Sequence, residues 1–366
     1  MEASGASLTV EGPDGRALAV GADPGRTRVR IRTVDAAAAL ERGDQLAIAE
    51  AYLHGAIEIE GDFRQVLYVT DHLDMGRFSW WRETLTWLRY VVDRRRFDRE
   101  SISDHYDRPP DFFLEWLDPS RSYTHGFYAS PDDDVTTAQR RKLQYAVDAL
   151  GLRAGMDVLD VGCGWGCFVE HAGRLGIRVH GITLSREQHA FVTELIRAQS
   201  LPCSVTLVDF FDYAPPVPFD GAVFMGSLEH IPDYRSVARF LARHLKPEGR
   251  VYADFVTTRE GRMAGAFLRK YIFPGITGYV ELDRLVTELT AAGFDVPEIV
   301  DDTESDAWTV RDWALALQER QKSLGERHGD LSVRAFLLYL WSSHHFLATK
   351  RTQAYHVVAG RRPAHA

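Results

Sequence analysis

The chain has 366 residues, 45% of them hydrophobic, and a formal net charge of −9. That is enough apolar material for one large domain and a small one, and the acidic balance argues against a nucleic-acid partner. The sequence has no N-terminal apolar signal and no unbroken apolar run of about 18 residues, so the expected location is cytoplasmic, at most peripheral to the inner membrane surface.

Residues 1–76 read as a small α+β domain. "LTVEGPDGRALAV" places a Pro-Asp-Gly turn between two alternating runs, which predicts a hairpin. "TRVRIRTV" alternates as a further strand. "GDQLAIAEAYLHG" has helical spacing and ends at a glycine, and "AIEIEGD" follows as a strand. Residues 77–99 differ in character, with seven arginines, three acids and the interleaved Trp80, Trp81 and Trp87. One reading is a linker helix that packs its aromatic face on the next domain. The other is a basic, aromatic face that meets an anionic membrane or an acyl carrier.

Residues 100–366 form the expected main domain. From about residue 135, helical and short apolar stretches alternate. "AQRRKLQYAVDALGL", "CFVEHAGRLG", "REQHAFVTELIRAQS" and "DYRSVARFLARHLKPEG" read as helices. "DVLDVG", "RVHGITLS", "CSVTLVD", "FDGAVFMG", "RVYADFV" and "AYHVVAG" read as strands. The alternation predicts an α/β fold, a largely parallel sheet with helices on both faces. "WTVRDWALALQERQKSLG" and "LSVRAFLLYLWSSHHFLATKR" read as helices over the ligand side of that sheet.

"DVLDVGCGWGCF" is the most informative stretch. A strand runs into Gly162, Gly164 and Gly166 and then a helix start, an arrangement that lets the backbone approach a ligand closely. The spacing is G-x-G-x-G rather than G-x-G-x-x-G. The second strand has no acid at its tip, which disfavours a dinucleotide. Asp160 directly precedes the loop and suits a ligand with a positive centre. S-adenosyl-L-methionine has a sulfonium and an ammonium group and no phosphates. Asp209, at the end of "VTLVDFFDY", is positioned in sequence to accept from an adenine amino group. Cys163, Cys167 and Cys203 are sparse and lack a second ligand pair at zinc spacing, so no metal is expected.

Several separated motifs resemble one family. "VLDVGCGWG", "GITLSREQ", "ISDHYDRPPDFFLEWLDPSRSYTHGFY" (102–128), "SLEHIPDY" (227–234), "LRKYIFPG" (268–275) and "FLLYLWSSHHFLATKRTQAYHVV" (336–358) look like cyclopropane-fatty-acid synthases and mycolic-acid methyltransferases. The likeness runs from about 96 to 360, and "AIAEAYLHGAIEIEGDF" looks like the N-terminal domain of the bacterial enzymes. It implies a Rossmann-like seven-stranded sheet with S-adenosyl-L-methionine as methyl donor. In the resemblance Tyr123 and Thr124 close over the methionine end, and Gly162 and Gly164 face the cofactor. Thr183 and Leu184 flank the ribose and adenine, Gln188 holds the ribose hydroxyls, and Asp209 and Phe210 contact the adenine. Glu229 and Tyr339 match positions around a bound bicarbonate.

Two positions depart from the family. His125 stands where the lipid enzymes carry cysteine, and Asp254 where they carry histidine. The bicarbonate site is therefore expected to be altered. Glu229 or Asp254 becomes the expected general base, with His125 as a proton relay. The expected acceptor is a double bond in a fatty-acyl lipid, giving a cyclopropane or methyl-branched product. The alternatives are a small-molecule natural product methylated at carbon or nitrogen, as in plant alkaloid enzymes, and a silent binding protein. An oligomer is compatible with the sequence.

Overall fold

The computed structural model describes residues 7–21, 26–70, 108–258, 265–273 and 278–362. They form two compact units. One gathers residues 7–70, 265–272 and 314–346, and the other gathers 108–258, 273, 278–313 and 347–362. The expected boundaries at 76/77 and 99/100, and the basic stretch 77–99, lie outside the described residues.

The first unit holds strands β1 (Leu8–Glu11), β2 (Ala17–Val20), β3 (Arg28–Ile31) and β4 (Ile57–Glu60) in the order β2-β1-β3-β4. The predicted hairpin is present, with Leu8 opposite Val20 and the turn closed by Gly12 N–H on the Arg16 carbonyl at 2.8 Å. Helices α1 (Val34–Glu41) and α2 (Gln45–Leu53) lie between β3 and β4, and α3 (Phe63–Thr70) follows β4. Asp44 caps α2 by accepting from Ala47 N–H at 3.1 Å, as its place before the apolar run requires. In the same unit Arg334 donates to the carbonyls of Tyr52 and Ile57, and its guanidinium lies 4.2 Å from the Tyr52 ring centre.

The second unit begins with α4 (Pro110–Leu114) and α5 (Val135–Ala149). Then come β5 (Asp157–Val161), α6 (Cys167–Arg174), β6 (Arg178–Thr183), α7 (Arg186–Gln199), β7 (Ser204–Leu207), β8 (Phe219–Met225), α8 (Tyr234–His244) and β9 (Leu245–Thr258). After α9 (Leu282–Ala291) and β10 (Phe294–Asp301), α10 (Thr303–Glu319) starts in this unit; its end, α11 (Gln321–His328) and α12 (Asp330–Ala348) up to residue 346 belong to the first unit, and the chain returns for β11 (Thr352–Arg361). The strand order is β10-β11-β9-β8-β5-β6-β7, and β11 runs antiparallel between β9 and β10. This is the expected Rossmann-like sheet of seven strands. The chain reverses its winding between β5 and β8, where open α/β sheets bind ligands.

Alternation along each strand sorts side chains to two faces. Leu159, Val161, Phe224, Ala253 and Phe255 pack in one core, with Val237 and Leu241 of α8 and Leu285 and Leu289 of α9. Val158, Val223, Met225, Tyr252 and Val358 pack in the other, with Leu143, Ala146 and Val147 of α5 and Phe168 and Val169 of α6. By the same period Asp160 and Asp254 point to the α5 face. Register fixes them on opposite sides of β8, since Asp160 pairs with Val223 and Asp254 with Met225.

Three parts of the sequence reading are corrected. The helix expected over "DYRSVARFLARHLKPEG" stops at His244, and Leu245 already pairs with Phe219. Register then slips, so Pro247-Glu248-Gly249 forms a bulge in β9 rather than a helix stop. The single helix over "WTVRDWALALQERQKSLG" breaks at Arg320 into α10 and α11. Strand β10 is not among the strands read from the sequence; it contains Pro297, and it lies at a sheet edge where a missing N–H is tolerated.

Gly126 is where α5 approaches the segment 122–128. A Cβ there would lie 2.8 Å from Ala138 Cβ and 2.9 Å from its carbonyl carbon. Gly126→Ala is therefore expected to destabilise the protein by about 1–3 kcal/mol through forced displacement of α5. The denaturant midpoint measures this, and an unchanged midpoint would mean that α5 yields freely.

Candidate active site

The glycine loop leaves β5 with three left-handed residues in alternation, Gly162 (φ 74°), Gly164 (φ 52°) and Gly166 (φ 78°). Each needs glycine on backbone grounds, but their surroundings differ. A Cβ on Gly162 would meet Ser227 Cβ at 2.8 Å, and one on Gly166 would meet Val192 and Leu195 at 3.1 Å. At Gly164 nothing among the described residues lies nearer than the Gly162 carbonyl at 4.0 Å. So two glycines permit packing and the middle one faces open space. The loop is anchored by Gly162 and Cys163 N–H, both donating to the Ile182 carbonyl at 3.0 Å.

Asp160 is 2% exposed, and its Oδ2 has no hydrogen-bond partner among the described residues. Burial, reinforced by the charge of Asp254, raises its pKa to about 7. Across the second strand, Thr183 Oγ1 donates to Gln188 Oε1 at 2.8 Å, which turns the Gln188 amide nitrogen the other way. Leu184, half-buried, separates Thr183 from Ser185, whose Oγ caps α7 by accepting from Gln188 N–H. Asp209 caps the turn Phe210–Asp212 by accepting from Phe211 N–H at 2.9 Å. Phe210 is buried against Phe224 and Phe240, so its ring belongs to the core as well as to this edge of the site.

Glu229 sits in the turn Leu228–His230 just after β8. Its Oε1 accepts from Val256 N–H at 2.8 Å, and its buried Oε2 has no partner among the described residues. Burial raises its pKa to about 7 against the Val256 hydrogen bond, with a further upward push from Asp254. Next to it, burial lowers the His230 pKa to about 4, which keeps that ring neutral. Asp254 is fully buried but turned toward α5. Its Oδ1 accepts from Thr124 Oγ1 at 2.7 Å and its Oδ2 from Tyr252 at 3.1 Å, with Lys142 Nζ at 3.7 Å.

The segment 122–128 is held residue by residue. Lys142, fully buried, donates to Ser122 Oγ at 3.4 Å, and Gln139 donates to the Thr124 carbonyl at 2.6 Å. His125 Nε2 lies 3.2 Å from Asp302 Oδ2, and Gly126 N–H donates to Thr309. Tyr123 turns to an aromatic wall, with ring centres of Phe113, Trp116 and Trp313 at 5.3–5.6 Å. Tyr339 lies on α12 in the first compact unit, edge-on to Phe336.

Lys142, Asp302, His356 and Asp306 escaped the sequence reading. Lys142 carries a signal in retrospect, because Ala138, Gln139, Lys142, Leu143, Ala146 and Val147 share one buried stripe of α5. A lysine in an apolar stripe demands buried acids opposite.

The family model for mycolic acid cyclopropane synthetase matches residues 93–357. A "probable fatty acid methyltransferase" of Pseudomonas putida is 29% identical over 305 residues, covering 80% of this chain and 76% of the relative. One of the same name from Mycobacterium tuberculosis is 31% identical over 289 residues, covering 76% of this chain and 66% of the relative. The cyclopropane synthase MmaA2 of M. tuberculosis superposes with a TM-score of 0.67 at 24% identity, over 72% of this chain and 98% of that one, a likeness of fold. The chain belongs to the mycolic acid cyclopropane synthetase family and is an S-adenosylmethionine-dependent methyltransferase.

Proposed function

We propose that this methyltransferase acts on a carbon–carbon double bond of a fatty-acyl lipid and forms a cyclopropane or methyl-branched product, with Glu229 as its general base. The observation that carries the reading is the Glu229 Oε2, buried and unpartnered among the described residues, on a carboxyl whose pKa is raised to about 7. Such a group is matched to proton removal near neutral pH. The family match and the names of the fatty-acid relatives support the acceptor class.

The residues present fit the methyl donor. The unpartnered Asp160 Oδ2 suits a cationic group, and the open side of Gly164 suits a close backbone approach. Asp160, Gly162, Gly164 and Gly166 would hold the methionine end with Tyr123 and Thr124. Thr183, Leu184, Gln188, Asp209 and Phe210 would hold the nucleoside. When bound, the donor supplies an electrophilic methyl group, whose transfer to an alkene leaves a carbocation on the acceptor. Glu229 then takes the proton: loss from the new methyl closes a three-membered ring, and loss from a neighbouring carbon leaves an alkene. Asp254 acts from behind by fixing Thr124, and Tyr339 stands as a candidate contact to the acceptor.

The altered site also bears on bicarbonate. Asp254 stands where the resemblance places histidine, and its carboxyl is engaged on the α5 side by Thr124, Tyr252 and the nearby Lys142. The histidine of the implied anion cage is therefore missing and nothing at 254 replaces it, so proton removal is assigned to the protein's own Glu229. The stretch 77–99 is proposed to touch an anionic membrane surface, on the strength of its seven arginines against three acids.

Three outcomes test these assignments. Asp160 must lose its proton to offer a charge to the donor, so affinity for S-adenosylmethionine should rise with pH through about 7 and then level. The raised pKa has the opposite sign for the free protein, whose stability falls as pH rises toward that value. Calorimetry across this range should show the rise, and Asp160→Asn should flatten it; a flat wild-type curve would remove Asp160 from the site.

Glu229→Gln should lower kcat by about 10²–10⁴-fold with donor affinity kept, and wild-type kcat should climb as Glu229 ionises through about 7. Turnover on phospholipid vesicles with unsaturated chains, in carbonate-depleted buffer, gives both readings. Strong stimulation by added bicarbonate would refute the base assignment.

Replacing Arg94, Arg95 and Arg96 with glutamine should reduce co-sedimentation with anionic vesicles, more so at low salt. Equal sedimentation of both forms would leave 77–99 as a plain linker.

A further inference from the structure

His125, Asp302 and His356 form a buried triad that the proton-transfer reading does not use. The three residues are 3%, 9% and 4% exposed. A single oxygen, Asp302 Oδ2, lies 3.2 Å from His125 Nε2 and 2.5 Å from His356 Nδ1. A carboxylate oxygen only accepts, so both ring nitrogens donate to it. The three come from separate places: His125 from the segment 122–128, His356 from β11, and Asp302 from the junction of β10 and α10. Asp302 is itself fixed, its N–H donating to the Ala354 carbonyl at 2.9 Å.

We propose that Asp302 and His356 are positioning residues that hold His125, and through it set the stance of Tyr123 and Thr124 beside the end of β8. The proposal rests on the reading of Tyr123 and Thr124 as donor contacts. His125 then acts through its neighbours rather than on the reacting atoms. Its imidazole is spent on Asp302, which leaves proton removal to Glu229. Thr124 is the next residue along the chain. A Cβ on Gly226, at the end of β8, would lie 3.4 Å from Thr124 Cβ, so a small shift of position 125 is felt there. Downstream, Gly126 and Tyr128 N–H donate to Thr309 and Ser305 of α10, so the segment is held from Asp302 and from the helix that follows it.

Electrostatics supports the geometry. Burial disfavours the His125 cation, but the Asp302 hydrogen bond and the charges of Asp254, Asp302 and Asp306 outweigh it and raise the pKa to about 9. Asp302 is likewise opposed by burial, yet the two histidines lower it to about 2. The groups around this pair are Asp306 on α10, Asp254 and Tyr252 on β9, Glu229 after β8, His356 on β11 and Lys142 on α5. Lys142 offsets Asp306 and Asp254, and His125 offsets Glu229.

The test uses the full chain, carbon-13-labelled histidine and S-adenosylhomocysteine as probe. The His125 resonance is assigned by its loss in His125→Gln. In the wild type it should titrate near 9. In Asp302→Asn the midpoint should fall by about one unit or more, and calorimetry should show S-adenosylhomocysteine bound about fivefold or more weakly. His356→Gln should weaken binding in the same direction by a smaller factor, and it serves if Asp302→Asn does not fold. A wild-type midpoint near 6.5 would overturn the proposal, as would unchanged affinity in both variants. Neither readout uses a methyl acceptor, so an error in the acceptor leaves this test standing. Donor contacts are tested separately by Asp160→Asn.

Discussion

A carboxyl oxygen buried without a partner is costly, and among the described residues two stand so at the ends of adjacent central strands. Asp160 Oδ2 closes β5 and Glu229 Oε2 follows β8. Desolvation, with a further push from the Asp254 charge, raises both pKa values to about 7. Such groups are retained where they meet something the free protein does not supply. Their place at the crossover between β5 and β8 gives that something a location. The loop that follows Asp160 keeps three left-handed glycines, and a side chain at Gly164 would enter the open space there.

The rest of the polar interior reads as a response to these acids. Asp160 and Asp254 share one sheet face, two strands apart, and Lys142 descends on that face from α5. The lysine lowers the cost of Asp160, Asp118 and Asp306 together. Fully buried, it has long-range reach in a medium that screens little. It also touches Ser122, so the charge that balances the acids positions the segment beside them. Electrostatic balance and geometric placement are carried by the same side chain.

The parts legible in the sequence were those written in local pattern. Strand β5, the three glycines and the start of α6 are contiguous, and each obeys a short-range rule of backbone conformation. The alternating strands are equally local. What stayed hidden depends on residues far apart in the chain. Asp302 and His125 are separated by 177 positions, and neither has a neighbour in sequence that announces the other. Strand β10, which carries Pro297, went unread, and its edge position is a property of the sheet, not of the stretch. Pro247 misleads, since a bulge opposite Phe219 absorbs it. Asp254 was read by analogy as a wall of an anion cage. Its partners Thr124 and Tyr252 show instead a carboxyl engaged on the α5 side.

The two positions where the sequence reading set this chain apart, 125 and 254, are physically coupled in the structure. A histidine buried at 125 needs an acceptor, and Asp302 provides it. An aspartate buried at 254 needs donors, and Thr124, Tyr252 and the nearby Lys142 cation answer it. Thr124 and His125 are adjacent, so the two solutions pull on one short piece of backbone. The Asp254 charge also favours the His125 cation directly, which makes each substitution easier to keep in the presence of the other. Groups linked in this manner do not contribute independently. Replacing either alone with the residue its family carries would leave a buried partner unanswered. The energetic unit is the whole clasp, and the position of Tyr123 and Thr124 is its output.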